Sequence, residues 1–124
     1  VQRLLESVSP THGRILIYVW AIEQDELSKR SVPVGMSTVT ATGQDVFVPW
    51  VRSESRDSAA QPQVFNRYYH MFAQDEILVL VREAARSLGL LVTAPSIAET
   101  HGVEVVQHGW ERSNHYVELR RWTK

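Results

Sequence analysis

Eight consecutive residues, Ile15, Leu16, Ile17, Tyr18, Val19, Trp20, Ala21 and Ile22, form an uncharged run dominated by β-branched and aromatic side chains. A membrane helix needs roughly 20 such residues, so this run is too short to span a bilayer. It reads instead as a strand covered on both faces, a central strand of a covered sheet. The run leads directly into Glu23, Gln24, Asp25 and Glu26. Polar groups therefore collect where the strand would leave the sheet, the usual place for ligand sites in open α/β folds.

The 124 residues suffice for one core and exclude two independent catalytic domains. Apolar residues make up 44% and charged residues 22%, which places the chain in the ordinary globular class and excludes wholesale disorder. Thirteen basic and 14 acidic residues give a formal charge of -1. With no global cationic field, a nucleic acid would have to be held by a local patch or with help from a partner. There is no cysteine, which excludes a disulfide scaffold, a thiolate zinc site and a cysteine nucleophile within these residues. No membrane or secretion signal is visible. The first residue is Val1, and residues 1–7 read as the uncapped end of a helix, so the chain is expected to be cut from something longer.

Ser9, Pro10, Thr11, His12 and Gly13 read as a turn before the apolar run. Residues 27–44 and 52–63 are rich in Ser, Thr, Ala and Gly or Pro and are expected to be flexible loops, with a short apolar segment from Val46 to Trp50 between them. The strongest helical signal opens at Asp75 and Glu76, where acidic groups suit the positive end of the helix dipole and Asp75 can cap. Ile77, Leu78, Val81, Ala84, Ala85 and Leu88 form its apolar face, and Gly89 closes it. Leu90–Thr93 reads as a short strand. After a Gly- and His-containing stretch, Tyr116–Trp122 reads as a final antiparallel strand reached through a turn.

His101, His108 and His115 recur every seven residues, a spacing without the tight ligand pairs of metal sites. No glycine-rich phosphate loop and no distinctive Ser-His-Asp arrangement is present. The densest polar and aromatic cluster runs from Phe65 to Phe72. Two readings of it stay open: packing at the helix entrance, or Arg67 gripping an anion while Tyr68, Tyr69 or His70 meet a nucleobase. Trp20 and Trp50 are each either core or stacking platform, with Trp50, beside Pro49 at a loop edge, the better candidate for ligand contact. Glu23 and Gln24 are either a solvated strand end or a ligand border. Asn114 is either a cap of the last turn or a residue that orients substrate.

Three blocks, Leu16, Ile17, Tyr18, Val19, Trp20, Ala21, Glu23 and Gln24; Asp45, Val46, Val48, Pro49 and Trp50; and Phe65, Arg67, Tyr68, Tyr69, His70 and Phe72, stand in this order along the chain. Together they resemble the tRNA wobble-uridine carboxymethyl methyltransferases, a family dependent on S-adenosylmethionine. Glu111 and Asn114 fit a weaker fourth block, in which His115 replaces the family's aromatic, and residues 90–109 are longer or more divergent than the family pattern.

This resemblance implies an α/β, Rossmann-like class I methyltransferase fold, with the chain as the C-terminal part of a single methyltransferase domain. Residues 14–22 would be its fifth strand, the long helix its last crossover, and residues 115–122 the antiparallel strand beside the fifth. The implied activity is methyl esterification of 5-carboxymethyluridine at the tRNA wobble position. The main motifs for S-adenosylmethionine would lie upstream, leaving this fragment inactive alone. In this scheme Arg67 and His70 are catalytic, Trp50, Arg67, Tyr68, Tyr69 and Asn114 bind substrate, and Glu23 and Gln24 border the cofactor. The implied partners are tRNA, helped by Arg52, Arg56, Arg112, Arg120 and Arg121, and a small zinc-binding activator protein docking on the upstream half. The implied location is the cytoplasm, extending to the nucleus. The competing reading is a non-catalytic RNA- or protein-binding module on the same scaffold.

Overall fold

A computed structural model describes residues 1–30, 42–52 and 63–124. The larger part of both expected loops, and Arg56 with them, lies outside the described residues. Helix α1 (Gln2–Ser7) precedes strand β1 (Arg14–Trp20), β2 (Gln44–Val51), β3 (Val64–Met71), helix α2 (Glu76–Ser87), β4 (Leu91–Val92), β5 (His101–Glu111) and β6 (Asn114–Thr123). The strands make a mixed four-stranded sheet in the order β1-β6-β5-β4 and a two-stranded hairpin, β2-β3. Strand β6 is antiparallel to both β1 and β5, so β1 and β5 point the same way, and β4 pairs parallel to β5. The fold is mixed α/β.

One face of the sheet is covered by helices. Ile15, Val103, Val117 and Leu119 pack there with Leu5 of α1 and with Ile77, Leu78, Val81, Ala84 and Ala85 of α2. The 3.6-residue spacing of the α2 residues is what turns them all toward the sheet. Gly89, at φ +67, closes the helix in a conformation a side chain would resist.

The expectation of a strand covered on both faces is corrected. On the other face of β1, Leu16 is 60% and Tyr18 47% exposed, and β1 is an edge of its sheet among the described residues. Its apolar run is unbroken because both faces carry apolar side chains, yet the described residues cover only one. Asp75 is corrected too: it holds the N-cap position at φ 65, but its side chain makes no capping bond. The Glu76 carboxylate accepts from the Ala73 amide at 2.9 Å instead. Strand β5 occupies the stretch read from sequence only as Gly- and His-containing. Phe65–Phe72 is mostly strand β3 rather than a helix entrance, and its partner β2 takes in the Val46–Trp50 segment.

A register shift between Val105 and Gln107 interrupts the β5-β6 ladder. Before it, Val103 and Val105 face the core, opposite Arg121 and Leu119; after it, His108 and Trp110 share a face with Val117 and His115. An extra residue in a strand re-aims the side chains that follow. Without it Gln107 and Gly109 would hold those positions. At the far end, Arg112 (φ 49) and Ser113 (φ 63) form the two-residue β5-β6 turn, with the positive φ that such turns require. The Ser113 carbonyl accepts from the Ala21 amide, the Gln24 side chain and Arg30, while its Oγ accepts from the Asp25 amide. Four bonds thus hold a strained turn against the carboxyl end of β1.

Candidate functional site

The hairpin meets the sheet where β1 ends. Ala21 bridges Phe72 in parallel, the Phe72 amide donates to the Trp20 carbonyl at 2.7 Å, and the Ile22 amide donates to the Phe72 carbonyl at 2.9 Å. Behind this junction, Ile22, Val46, Met71 and Ala73 form a small second core, with Val48 and Tyr69 packed against it.

Alternation along β3 sorts the expected site residues onto two faces. Phe65, Arg67 and Tyr69 share one face with their cross-strand partners Trp50, Val48 and Val46. Tyr68 and His70 share the other with Phe47 and Asp45. Arg67 and His70, expected to act together, therefore lie on opposite sides of the hairpin.

On the first face the Arg67 guanidinium lies 4.2 Å from the Trp50 ring centre. The Tyr69 ring stacks on Trp20 at 4.2 Å and 5°, and the Arg30 guanidinium lies 4.4 Å from the Trp20 ring. Arg30 also donates to Asn114 Oδ1 at 2.8 Å. Trp50, Arg67, Tyr69, Trp20 and Arg30 thus supply cationic and aromatic groups along this face, with the Asn114 amide beside Trp20 at the end of β1. Such groups suit the phosphates and base faces of a single strand.

On the second face His70 is held at both nitrogens, with Nδ1 2.7 Å from Asp45 Oδ1 and Nε2 2.8 Å from Glu76 Oε1. The Tyr68 hydroxyl donates to the same Asp45 oxygen at 2.7 Å. Partial burial pulls the His70 pKa down, but the bonds to Asp45 and Glu76 outweigh it and leave it raised above the ordinary value. Asp45 is correspondingly lowered, first by His70 and then by Tyr68, and Tyr68 is raised by Asp45. This imidazole ties the hairpin to the first turn of α2. Gly43 belongs to the same contact, since a Cβ there would overlap His70 Nε2, Glu76 Oε2 and the Met71 carbonyl.

Glu23 and Gln24 lie beside the turn. Gln24 donates to the Ala21 and Ser113 carbonyls and accepts from the Ser28 hydroxyl. Glu23 pairs with His115 at 2.9 Å, and its carbonyl accepts from Trp110 Nε1 at 2.9 Å. Both side chains are engaged in holding the β1 end to the β5-β6 hairpin.

Of the expected tRNA-contacting arginines, Arg52 and Arg112 are exposed. Arg120 pairs with Glu104, and Arg121 donates to the Leu5 carbonyl. Sequence reasoning missed Arg30, which has no pattern to mark it, and His115 as a Glu23 partner. It also missed the roles of Asp45 and Glu76. The i, i+2 spacing of Tyr68 and His70 was a signal for their shared face. Among the described residues no helix is long and apolar enough to cross a membrane.

No protein-family model matches the chain. A tRNA (carboxymethyluridine(34)-5-O)-methyltransferase of Schizosaccharomyces pombe is 27% identical over 117 residues, covering 85% of this chain and 41% of the relative. The chain thus spans about two fifths of the length of the curated protein it matches. At the family level, and over part of that length, the chain is a distant homologue of the tRNA carboxymethyluridine methyltransferases.

Proposed function

We propose that this chain is the substrate-holding, C-terminal part of a Rossmann-like methyltransferase domain that esterifies 5-carboxymethyluridine at the tRNA wobble position. The observation that carries the reading is the arginine and aromatic face of the hairpin at the carboxyl end of β1, with Arg67 over Trp50 and Tyr69 against Trp20. The order β1-β6-β5, with β6 antiparallel between two strands that run alike, supports the assignment of residues 14–22 as the fifth strand and of β6 as the antiparallel strand beside it. The similarity to the Schizosaccharomyces pombe protein supports the chemistry.

In this reading a carboxylate, already nucleophilic at neutral pH, needs positioning more than a base. A guanidinium stacked on an indole has its face fixed and its N–H fork directed outward in the ring plane. Arg67 so held orients the substrate carboxylate or a neighbouring phosphate. Trp50 and Tyr69 shape the base pocket beside it, and Asn114, bonded to Arg30, borders the same face. His70 acts from the reverse side, holding the hairpin to α2 through Asp45 and Glu76.

The described residues do not fit S-adenosylmethionine as a complete cradle. Gln24 is committed to Ala21, Ser113 and Ser28, and one carboxylate oxygen of Glu23 to His115. This reading places the main cofactor motifs upstream.

The test is methyl transfer from labelled S-adenosylmethionine to tRNA bearing carboxymethyluridine, by the full-length protein with and without a zinc-binding activator. Arg67→Ala is expected to lower kcat/KM by about tenfold or more, the scale of a lost charge-assisted contact. Unchanged turnover would remove Arg67 from the site. No ester product under any condition, with folded protein and modified tRNA, would favour the binding module.

A further inference from the structure

On the helix-covered side of the sheet, opposite the Trp20 and Arg67 face, a cleft of about 420 Å³ opens between the first turn of α2 and the end of the β5-β6 hairpin. Ile77, Leu78 and His115 give it a mostly buried floor, and Glu23, Asp75 and Trp110 stand around it. It lies outside the carboxyl ends of β1 and β5, the position where open α/β sheets place ligands.

Three features define its chemistry. Trp110 is 43% exposed, and its Nε1–H bond to the Glu23 carbonyl fixes the indole at the wall. Glu23 and Asp75 bring two acidic side chains to the same space, with Glu23 holding His115 Nε2 through one carboxylate oxygen, Oε2, so that Oε1 is its remaining acceptor. Asp75 sits at φ 65 and spends no side-chain bond on capping α2. A non-glycine residue held in the left-handed region at a cleft is strain that points to function. The register shift before His108 is what brings Trp110 onto this face.

We propose that this cleft binds a guanine base, stacked on Trp110, with its N1–H and N2–H2 donors directed at the Glu23 and Asp75 carboxylates. Among the four bases, guanine alone offers two adjacent donor groups on its Watson–Crick edge, the complement of an acceptor-only pair. Uracil turns two carbonyls toward the same carboxylates and is repelled. His108 and His115 also line the cleft, but the two carboxylates disfavour a phosphate beside them, so the base enters and the backbone stays at the mouth. The inference rests on the RNA-acting reading above for the source of the base, but it concerns residues that reading does not use for positioning the reacting uridine.

Binding is measured by calorimetry on the full-length protein with GMP, IMP and UMP, and with the single-stranded heptamers U3GU3 and U7. GMP is expected to bind at least about tenfold more tightly than UMP, with IMP, which lacks the 2-amino group, between them. Trp110→Ala is expected to weaken GMP at least about tenfold, the scale of one lost stacking contact, and Trp110→Phe to restore part of it. Asp75→Asn keeps the shape and tolerates the left-handed backbone, and is expected to erase the preference for GMP over IMP while far-UV circular dichroism stays unchanged. Preference for U3GU3 over U7 assigns the base to RNA, and preference confined to GMP assigns it to a free nucleotide; either supports the site. Equal affinities for GMP and UMP, absence of GMP binding, or displacement of GMP by equimolar agmatine would overturn it, the last by showing a site for cationic side chains. GMP binding needs no methyl transfer. Ester formation without GMP binding therefore sinks the cleft alone, and GMP binding without ester formation sinks only the methyltransferase reading.

Discussion

The four-stranded sheet and the β2-β3 hairpin are held by different physics. Leu5, Val81, Val103, Val117 and Leu119 are fully buried between the sheet and its helices, and burial of this kind is worth about 1.5–3 kcal/mol per side chain. The hairpin has only Val46 and Met71 comparably buried, while Phe47, Trp50, Phe65 and Tyr68 stand 40% or more exposed. It is fastened by a stack, Tyr69 on Trp20, and by a polar tie, His70 between Asp45 and Glu76. Apolar burial makes a rigid unit; a small number of directional contacts makes one that local opening can release. Four of the five expected substrate residues, Trp50, Arg67, Tyr68 and Tyr69, sit on the second kind, and Asn114 sits on β6 of the sheet.

The largest effect is expected at Leu119. Leu119→Ala leaves a cavity under both helices and is expected to cost about 2–5 kcal/mol, read as a fall in the global melting temperature that takes sheet and hairpin together. Should the hairpin persist in hydrogen exchange while the sheet melts, the two are independent units. Gly43→Ala attacks the other side. Its Cβ would overlap His70 and Glu76, and overpacking of this sort costs about 1–3 kcal/mol. Hydrogen exchange is expected to speed up in β2 and β3 with β5 and β6 unaffected, and uniform protection would show that the hairpin is not docked through this contact.

Tyr69→Ala sharpens the same contrast with a smaller effect. Stacking of this kind is worth about 0.5–1.5 kcal/mol beyond burial, and its loss is expected to open the hairpin while leaving the sheet intact. Tyr69→Phe, which keeps the ring, is expected to behave as the parent. If Phe fails as badly as Ala, the hydroxyl rather than the stack is responsible.

The two regions also differ in how far the sequence discloses them. Helix α2 is legible because Ile77, Leu78, Val81, Ala84 and Ala85 repeat at helical spacing and the structure buries all of them. Strands β1 and β6 are legible because Ile15–Trp20 and Tyr116–Trp122 are dense in β-branched or aromatic residues. Strand β5 is not, because the shift at Val106 breaks its alternation and Gly102, Gly109, His101 and His108 dilute its apolar signal. The hairpin pairing is hidden for another reason: its partners lie on either side of a long polar stretch, and no local pattern specifies which residue meets which. Reading Arg67 and His70 as one constellation from their proximity in sequence ignored the two-residue period of a strand, which sends them to opposite faces. Glu23 and Gln24 were rightly placed at the end of β1, but their bonds to His115 and Ser113 join segments about 90 residues apart, beyond any spacing argument.

The smallest effect, and the one most specific to the hairpin, depends on pH. The raised His70 pKa means that its protonated form is favoured in the folded state. Its contribution is fully present below the unfolded value of 6.5 and is lost as pH rises through the higher folded value. The lowered Asp45 pKa has the opposite consequence: its contribution is present above the unfolded value of 3.8 and lost as pH falls through the lower folded value. The tie is therefore tightest between these two unfolded values, where imidazolium faces two carboxylates. Solvent reaches Asp45 and part of His70, so screening keeps the His70 effect below about 1 kcal/mol. Exchange of the β2 and β3 amides, corrected for intrinsic rate, is expected to be more protected at pH 5.5 than at pH 8, with β5 and β6 showing no such difference. His70→Gln keeps hydrogen-bonding capacity without the titratable charge and is expected to flatten this dependence. A dependence that survives the substitution would locate the titrating group elsewhere, and one that appears equally in β5 and β6 would mean that protonation stabilises the whole fold rather than the hairpin's attachment to it.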